Sequence, residues 1–130
     1  MSSNTDSGYR PGTCNIGAKE RERRRRWALL AVGGAVAYLA LVWAVGLPRF
    51  LLSGVFVPVT LAAEWAIESR ERFCVRLALR GRYDVDGRRG RVPDTEARRA
   101  DASTAVRITA LASVIGLVVT ALVYGLSTVL

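Results

Sequence analysis

Two thiols and one carboxylate are the residues whose types could do chemistry in this 130-residue chain. Cys14 stands ahead of an arginine-rich stretch, and Cys74 lies between Arg72 and Arg76. Cations beside a thiol favour the thiolate, the nucleophilic and metal-binding form. One reading therefore makes Cys14 and Cys74 a redox-active or labile thiol pair, and the other makes them ordinary packing residues. A metal site ranks last: zinc takes about four ligands, the chain contains no histidine, and a complete set would need two chains. No Cys-x-x-Cys is present.

Glu64 is the only ionisable residue well inside an apolar run. A charge in the bilayer interior is costly enough to be a functional lead by default. Its place near one end of the run, within reach of Arg70 or of the Arg23 to Arg26 cluster, points instead to an interfacial ion pair. A single carboxylate without histidine also makes a poor proton relay. Asp84 and Asp86 before Gly87 have the look of a calcium loop opening, but Arg88 and Arg89 stand where further oxygen ligands are needed. P-loop, dinucleotide-glycine and nucleophile-elbow motifs are lacking. These residues predict neither a catalytic set nor a cofactor.

The elements that position them are set by apolar blocks. Residues 27–47 carry no charge; at about 1.5 Å rise per residue they reach about 31 Å, close to the ~30 Å hydrocarbon core of a bilayer. A second run, Phe50 to Ile67, holds only Glu64, and a third, Ile108 to Leu130, holds no charge. The chain is predicted to be an all-α membrane protein with three transmembrane helices at about 27–47, 50–67 and 107–128, a tight hairpin plus a third span. Gly46-Leu47-Pro48-Arg49 is the only break in the hairpin, and Pro58 should kink the second span. A signal peptide is the rival reading of the basic start, but the first apolar run exceeds the ~7 to 15 residues of a signal core.

The net charge of +8 comes almost wholly from arginine. Residues 68–107 hold eleven arginines against seven acids, whereas the hairpin turn has only Arg49. Basic residues of short loops stay in the cytoplasm. The N-terminus and the 68–106 loop are thus expected in the cytoplasm, the hairpin turn and C-terminus outside, with the cell membrane as the location. Arg23, Arg24, Arg25, Arg26, Arg72, Arg76 and Arg80 are candidate contacts to anionic lipid headgroups, each worth on the order of 1 kcal/mol near the surface. Nucleic acid is disfavoured as a partner, because the bilayer already explains clusters placed directly beside spans.

Residues 1–13 are polar, with Gly and Pro, and are expected to be a mobile tail; residues 14–130 form one membrane domain. Past the second span no breaker interrupts residues 68–80, which predicts a continuing surface helix with Arg72, Arg76 and Arg80 as its basic stripe and Gly81 as its C-cap. Tyr83 to Gly90 reads as a turn or small hairpin. Asp94 is placed to cap a last helix that either runs unbroken into the third span or pauses at Ser103-Thr104. Small residues four apart, Gly33 and Ala37, Gly54 to Ala66, Ala112 to Thr120, predict close helix packing within the bundle, or against another copy or subunit of a larger membrane complex.

The string RPGTCNIGAKERERRRR, residues 10–26, resembles the opening of an uncharacterised family of small prokaryotic membrane proteins with a Cys-Asn-Ile-Gly motif and an arginine-rich first helix. Arg72-Phe73-Cys74 with Leu79 to Tyr83 is similar to that family's second cysteine motif, and DTEARRAD, residues 94–101, to the element before its last span. A weaker likeness is to the membrane domain beside some rhodanese modules, whose sulfur associations the long loop and third span here do not support. The resemblance implies no activity. Since a tight hairpin brings its two ends together, Cys14, Asn15, Gly17, Arg72, Phe73, Cys74, Arg80, Gly81 and Tyr83 are the candidate residues of a basic cytoplasmic cap. The expected role is a non-enzymatic accessory or scaffold subunit; the alternative is a thiol-dependent redox or metal-binding protein.

Overall fold

A computed structural model describes residues 9–85 and 88–129. Helix α1, Ala18–Val45, starts directly after the extended Gly17 and ends where Gly46 turns left-handed at φ 74°. The carbonyls freed at that end accept Gly46 N and Leu47 N, from Trp43 and Val42 respectively, so a glycine C-cap makes the hairpin turn. Beyond Pro48 the chain enters a 3-10 segment, Arg49–Val55, and then helix α2, Phe56–Glu71. Pro58 falls in the first turn of α2, where no backbone donor is needed.

Helix α2 is central: it packs against α1 on one side and on the other against the last helix, α4, Thr95–Val129, while α1 and α4 scarcely touch. All three are long and apolar enough to cross a membrane, and the chain is an all-α membrane protein. Helix α4 does not pause at Ser103-Thr104 but runs through, and the carboxylate of Asp94 accepts the Glu96 amide at its start.

The small-residue stripes divide. A Cβ at Gly54 would collide with the Tyr38 hydroxyl, and one at Gly116 with Thr60 and the Phe56 ring. Ala62 and Ala112 are buried as well. On α1 the buried seam is instead Ala28, Ala35 and Val42, seven residues apart, which leaves Gly33 facing open space. At the hairpin end Arg49 lies over the Tyr124 ring, 4.7 Å from its centroid, and donates to Ser127 Oγ at 2.8 Å, tying the turn to α4.

Two expectations fail at the other end. The helix predicted through residues 68–80 stops at Arg72, which is left-handed at φ 56°; Phe73 and Cys74 follow, and a short helix α3, Val75–Leu79, leads to Gly81 at φ 66°. Phe73 causes the break, because leaving the helix there lets its ring reach a fully buried position among Val75, Ala78, Ala105 and Ile108. Arg72, Arg76 and Arg80 are exposed but share no single helix. Strands β1, Arg82–Val85, and β2, Arg88–Arg91, form the small antiparallel hairpin. Asp86 and Gly87, part of the calcium-loop-like string, lie outside the described residues.

The mobile tail is the other correction. Residues 1–8 lie outside the described residues, but Tyr9 is 2% exposed and packs with Val85, Val92 and Ala97. The Pro11-Gly12 turn, with φ +69° at Gly12, sets that glycine against Ala100. The domain thus begins by Tyr9.

Filling the Gly116 site should be costly. Gly116→Leu is expected to destabilise the protein by about 1–3 kcal/mol or more through overpacking, whereas Gly33→Leu should leave unfolding in detergent unchanged; equal effects would refute this division of the stripes.

Candidate functional site

The cap is assembled on Asn15, which is fully buried. Its Oδ1 accepts the Cys74 amide at 2.6 Å, and its Nδ2 donates to the Cys74 carbonyl at 3.1 Å. The side-chain amide thus imitates a strand, pairing with one residue in both directions. Its main chain does the rest: Asn15 N donates to Arg72 O at 3.1 Å, and Asn15 O accepts Asp84 N at 2.9 Å. Gly17 N then donates to Asp84 O at 3.2 Å. Asn15 therefore joins the break after α2 to strand β1, and the left-handed turn at Arg72 presents the carbonyl that it uses.

Below this junction lies a charged centre that sequence reasoning missed. Glu68 is 3% exposed. Its Oε2 accepts Val75 N at 3.1 Å, at the start of α3, and its Oε1 lies 3.1 Å from Arg24 Nε. Arg24 also approaches Glu20 at 3.7 Å, sits over the Trp27 ring at 5.0 Å, and puts Nη2 3.0 Å from Cys74 Sγ. With only 11% of its side chain exposed, Arg24 is a cap residue, in contrast to the headgroup role expected for it; Arg23, Arg25 and Arg26 are exposed. Arg21 braces the same end of α2 through Ser69 O at 2.9 Å. A pocket of about 180 Å³ opens here, lined among others by Arg24, Trp65, Glu68, Cys74 and Arg76.

A second junction ties the N-terminal turn to α4. Asp101, fully buried, accepts the Tyr9 hydroxyl and the Gly12 amide, each at 2.6 Å, and Thr104 Oγ1 donates to Gly12 O at 2.7 Å. Tyr9 stacks on Tyr83 with ring centroids 5.0 Å apart. Burial, reinforced by the Asp101 carboxylate, pushes the Tyr9 phenol above its ordinary range, so the hydroxyl remains a donor. The Arg-Pro-Gly-Thr string carried the signal for this turn, since Pro followed by Gly is a type II turn pattern, but nothing local names the aspartate 92 residues away that receives Tyr9.

The cap candidates are therefore brought together, with Phe73 in its core and Gly81 beneath Arg98. Arg80 remains exposed. The thiols are not linked: both are free, Cys14 Sγ lying 3.5 Å from Ile16 O and Cys74 Sγ facing Arg24. Glu64 forms no arginine ion pair among the described residues; its Oε1 accepts Thr109 Oγ1 of α4 at 3.2 Å. Among the described residues no group of three His, Cys, Asp or Glu is placed to hold a metal ion. Chemically the arrangement offers one thiol beside a guanidinium, with the nearby carboxylates already engaged.

Asn15→Ala should cost roughly 1–3 kcal/mol by leaving the buried Cys74 amide unpaired, while the Cys74 carbonyl keeps its bond from Ala78 N; the loss is read as a lower unfolding temperature and faster proteolysis near Cys74. Arg24→Ala should cost about 3–5 kcal/mol by stranding Glu68, whereas Arg25→Ala should stay near wild type; similar losses for both would place Arg24 at the surface after all. No family model, curated protein or solved structure matches this chain, so its functional reading rests on the geometry of the cap and the spans.

Proposed function

We propose that this is a multi-pass cell-membrane protein without catalysis of its own, an accessory or scaffold subunit whose basic cap lies in the cytoplasm against anionic headgroups. The observation that carries this reading is that the buried side chains of Asn15, Glu68 and Asp101 are spent on groups of the cap itself. All four hydrogen-bonding groups of Asn15 are occupied, Glu68 serves Arg24 and Val75, and Asp101 serves Tyr9 and Gly12. A catalytic centre needs donors or acceptors left over for substrate. The unspent features are the exposed arginines of the cap and the apolar flanks of α1 and α4, with Leu29, Val36, Leu117 and Leu122 more than half exposed. Such surfaces suit lipid and neighbouring helices of a homo-oligomer or larger complex. The arginine bias supports the orientation, with Leu130 on the outer side.

A thiol-dependent role is the second reading, favoured by the 3.0 Å approach of Arg24 to Cys74 Sγ. Cys74→Ser separates the two: retained abundance with loss of the cellular phenotype would support thiol chemistry, and an unchanged phenotype the scaffold.

Two measurements test the main proposal. A membrane-impermeant maleimide should label Leu47→Cys on intact cells and Arg99→Cys only after lysis; the reverse pattern overturns the orientation. Purification from native membranes in mild detergent should yield an assembly larger than one chain, and a monodisperse single chain would overturn the subunit role.

A further inference from the structure

A large concavity adjoins the cap junctions. An open groove of about 870 Å³ runs between the start of α1 and the β hairpin, lined by Lys19, Arg23, Arg26, Trp27, Leu30 and Arg89, together with Glu20 and Asp84. The two acids offset only part of this charge. Glu20 is engaged by Arg23 at 3.3 Å and by Arg24, and Asp84 by Arg89 at 3.2 Å. Lys19 and Arg26 have no ionic or hydrogen-bonding partner among the described residues. The groove thus carries surplus positive charge in a space large enough for a phosphorylated headgroup.

Its polarity is ordered along the helix. Lys19, Arg23, Arg26 and Leu30 follow at intervals of four, three and four residues, which places them on one face of α1. Going towards the apolar span, that face presents cations, then the Trp27 indole, then Leu30, which is 72% exposed. The same spacing continues to Gly33 and Ala37, both exposed, and nothing lies within 4 Å of the position a Cβ would take at Gly33. The basic groove therefore continues onto an uncovered apolar face of α1 at Leu30 and Gly33. A free phosphate would use only the upper half, whereas an amphiphile with a phosphate head and an acyl tail matches both.

We infer that this groove binds a single anionic phospholipid, its phosphate between Lys19, Arg26 and Arg89 and one acyl chain along Leu30 and Gly33. The site deepens the headgroup contact proposed above and rests on it. It differs in being one stoichiometric place rather than a diffuse attraction spread over the cap.

The test uses the full chain in dodecyl maltoside micelles, with retained lipid counted by native mass spectrometry after incubation with equal amounts of phosphatidylglycerol and phosphatidylcholine. One phosphatidylglycerol per chain should survive. Lys19→Gln with Arg26→Gln should weaken its retention roughly thirtyfold, from the loss of two cations near the phosphate. Arg70→Gln with Arg99→Gln, the same charge change at exposed positions away from the groove, should leave it intact. Gly33→Leu should also weaken retention without lowering the unfolding temperature. Equal losses from the two double variants would overturn the specific site while sparing the general headgroup reading, and no preference for phosphatidylglycerol would overturn both. Displacement of the lipid by millimolar inorganic phosphate would make the ligand a soluble phosphate and refute the proposal. So would a change of oligomeric state in Gly33→Leu with lipid retention unaltered, since a second copy would then occupy that face.

Discussion

A helix that breaks beside a buried core leaves backbone groups with nowhere to go. After α2 the chain turns at Arg72 so that Phe73 can be buried, and this leaves the Arg72 carbonyl and the buried Cys74 amide outside the helical ladder, while the Cys74 carbonyl opens α3 by accepting Ala78 N. Unpaired, each such group costs on the order of a hydrogen bond's desolvation. Asn15 meets all three, two through its side chain and one through its amide. A residue with only a donor or only an acceptor could not pair with Cys74 in both directions. The rest of the cap follows from that seat: α1 departs from Gly17, and β1 comes alongside Asn15 through Asp84.

The Arg24–Glu68 contact answers a second difficulty of the same region. Glu68 is held inward by its bond to Val75 N, and a carboxylate buried there needs a counter-charge. Arg24 supplies it and spreads its remaining donors over Glu20 and the Cys74 sulfur, with its flat face on Trp27. Trp27 meets Trp65 edge-on at 5.4 Å. Cap and spans are therefore coupled at the base of α1 and α2, where charge ends and apolar helix begins. One arginine among four consecutive ones is structural, and its neighbours remain available to the membrane surface.

Within the spans, packing divides the molecule differently. Helix α2 meets both neighbours through small residues, which lets Tyr38, Phe56 and Thr60 fill the space above Gly54 and Gly116. In lipid there is little hydrophobic gain from bringing helices together, so such close approach and dispersion contacts hold them. Because α1 and α4 flank α2 and scarcely touch, much apolar surface stays outward. That exposure is tolerable in hydrocarbon and leaves room for lipid chains or partner helices.

Three membrane-spanning helices and the tight hairpin were determined by the sequence alone, because an apolar run of bilayer length and a glycine ahead of a proline act locally. The meeting of Cys14-Asn15 with Phe73-Cys74 was legible only as a juxtaposition of hairpin ends. Tertiary structure alone decided which of the thiols, charges and arginines would share an environment. It seated Asn15 on a residue 59 positions away and Tyr9 on one 92 positions away, ended the surface helix at Arg72 to bury Phe73, and separated Arg24 from Arg23, Arg25 and Arg26. The four arginines are identical in type and adjacent in the chain. Only the helical phase of α1 against α2, set by packing, turns Arg24 towards Glu68 and leaves the others exposed.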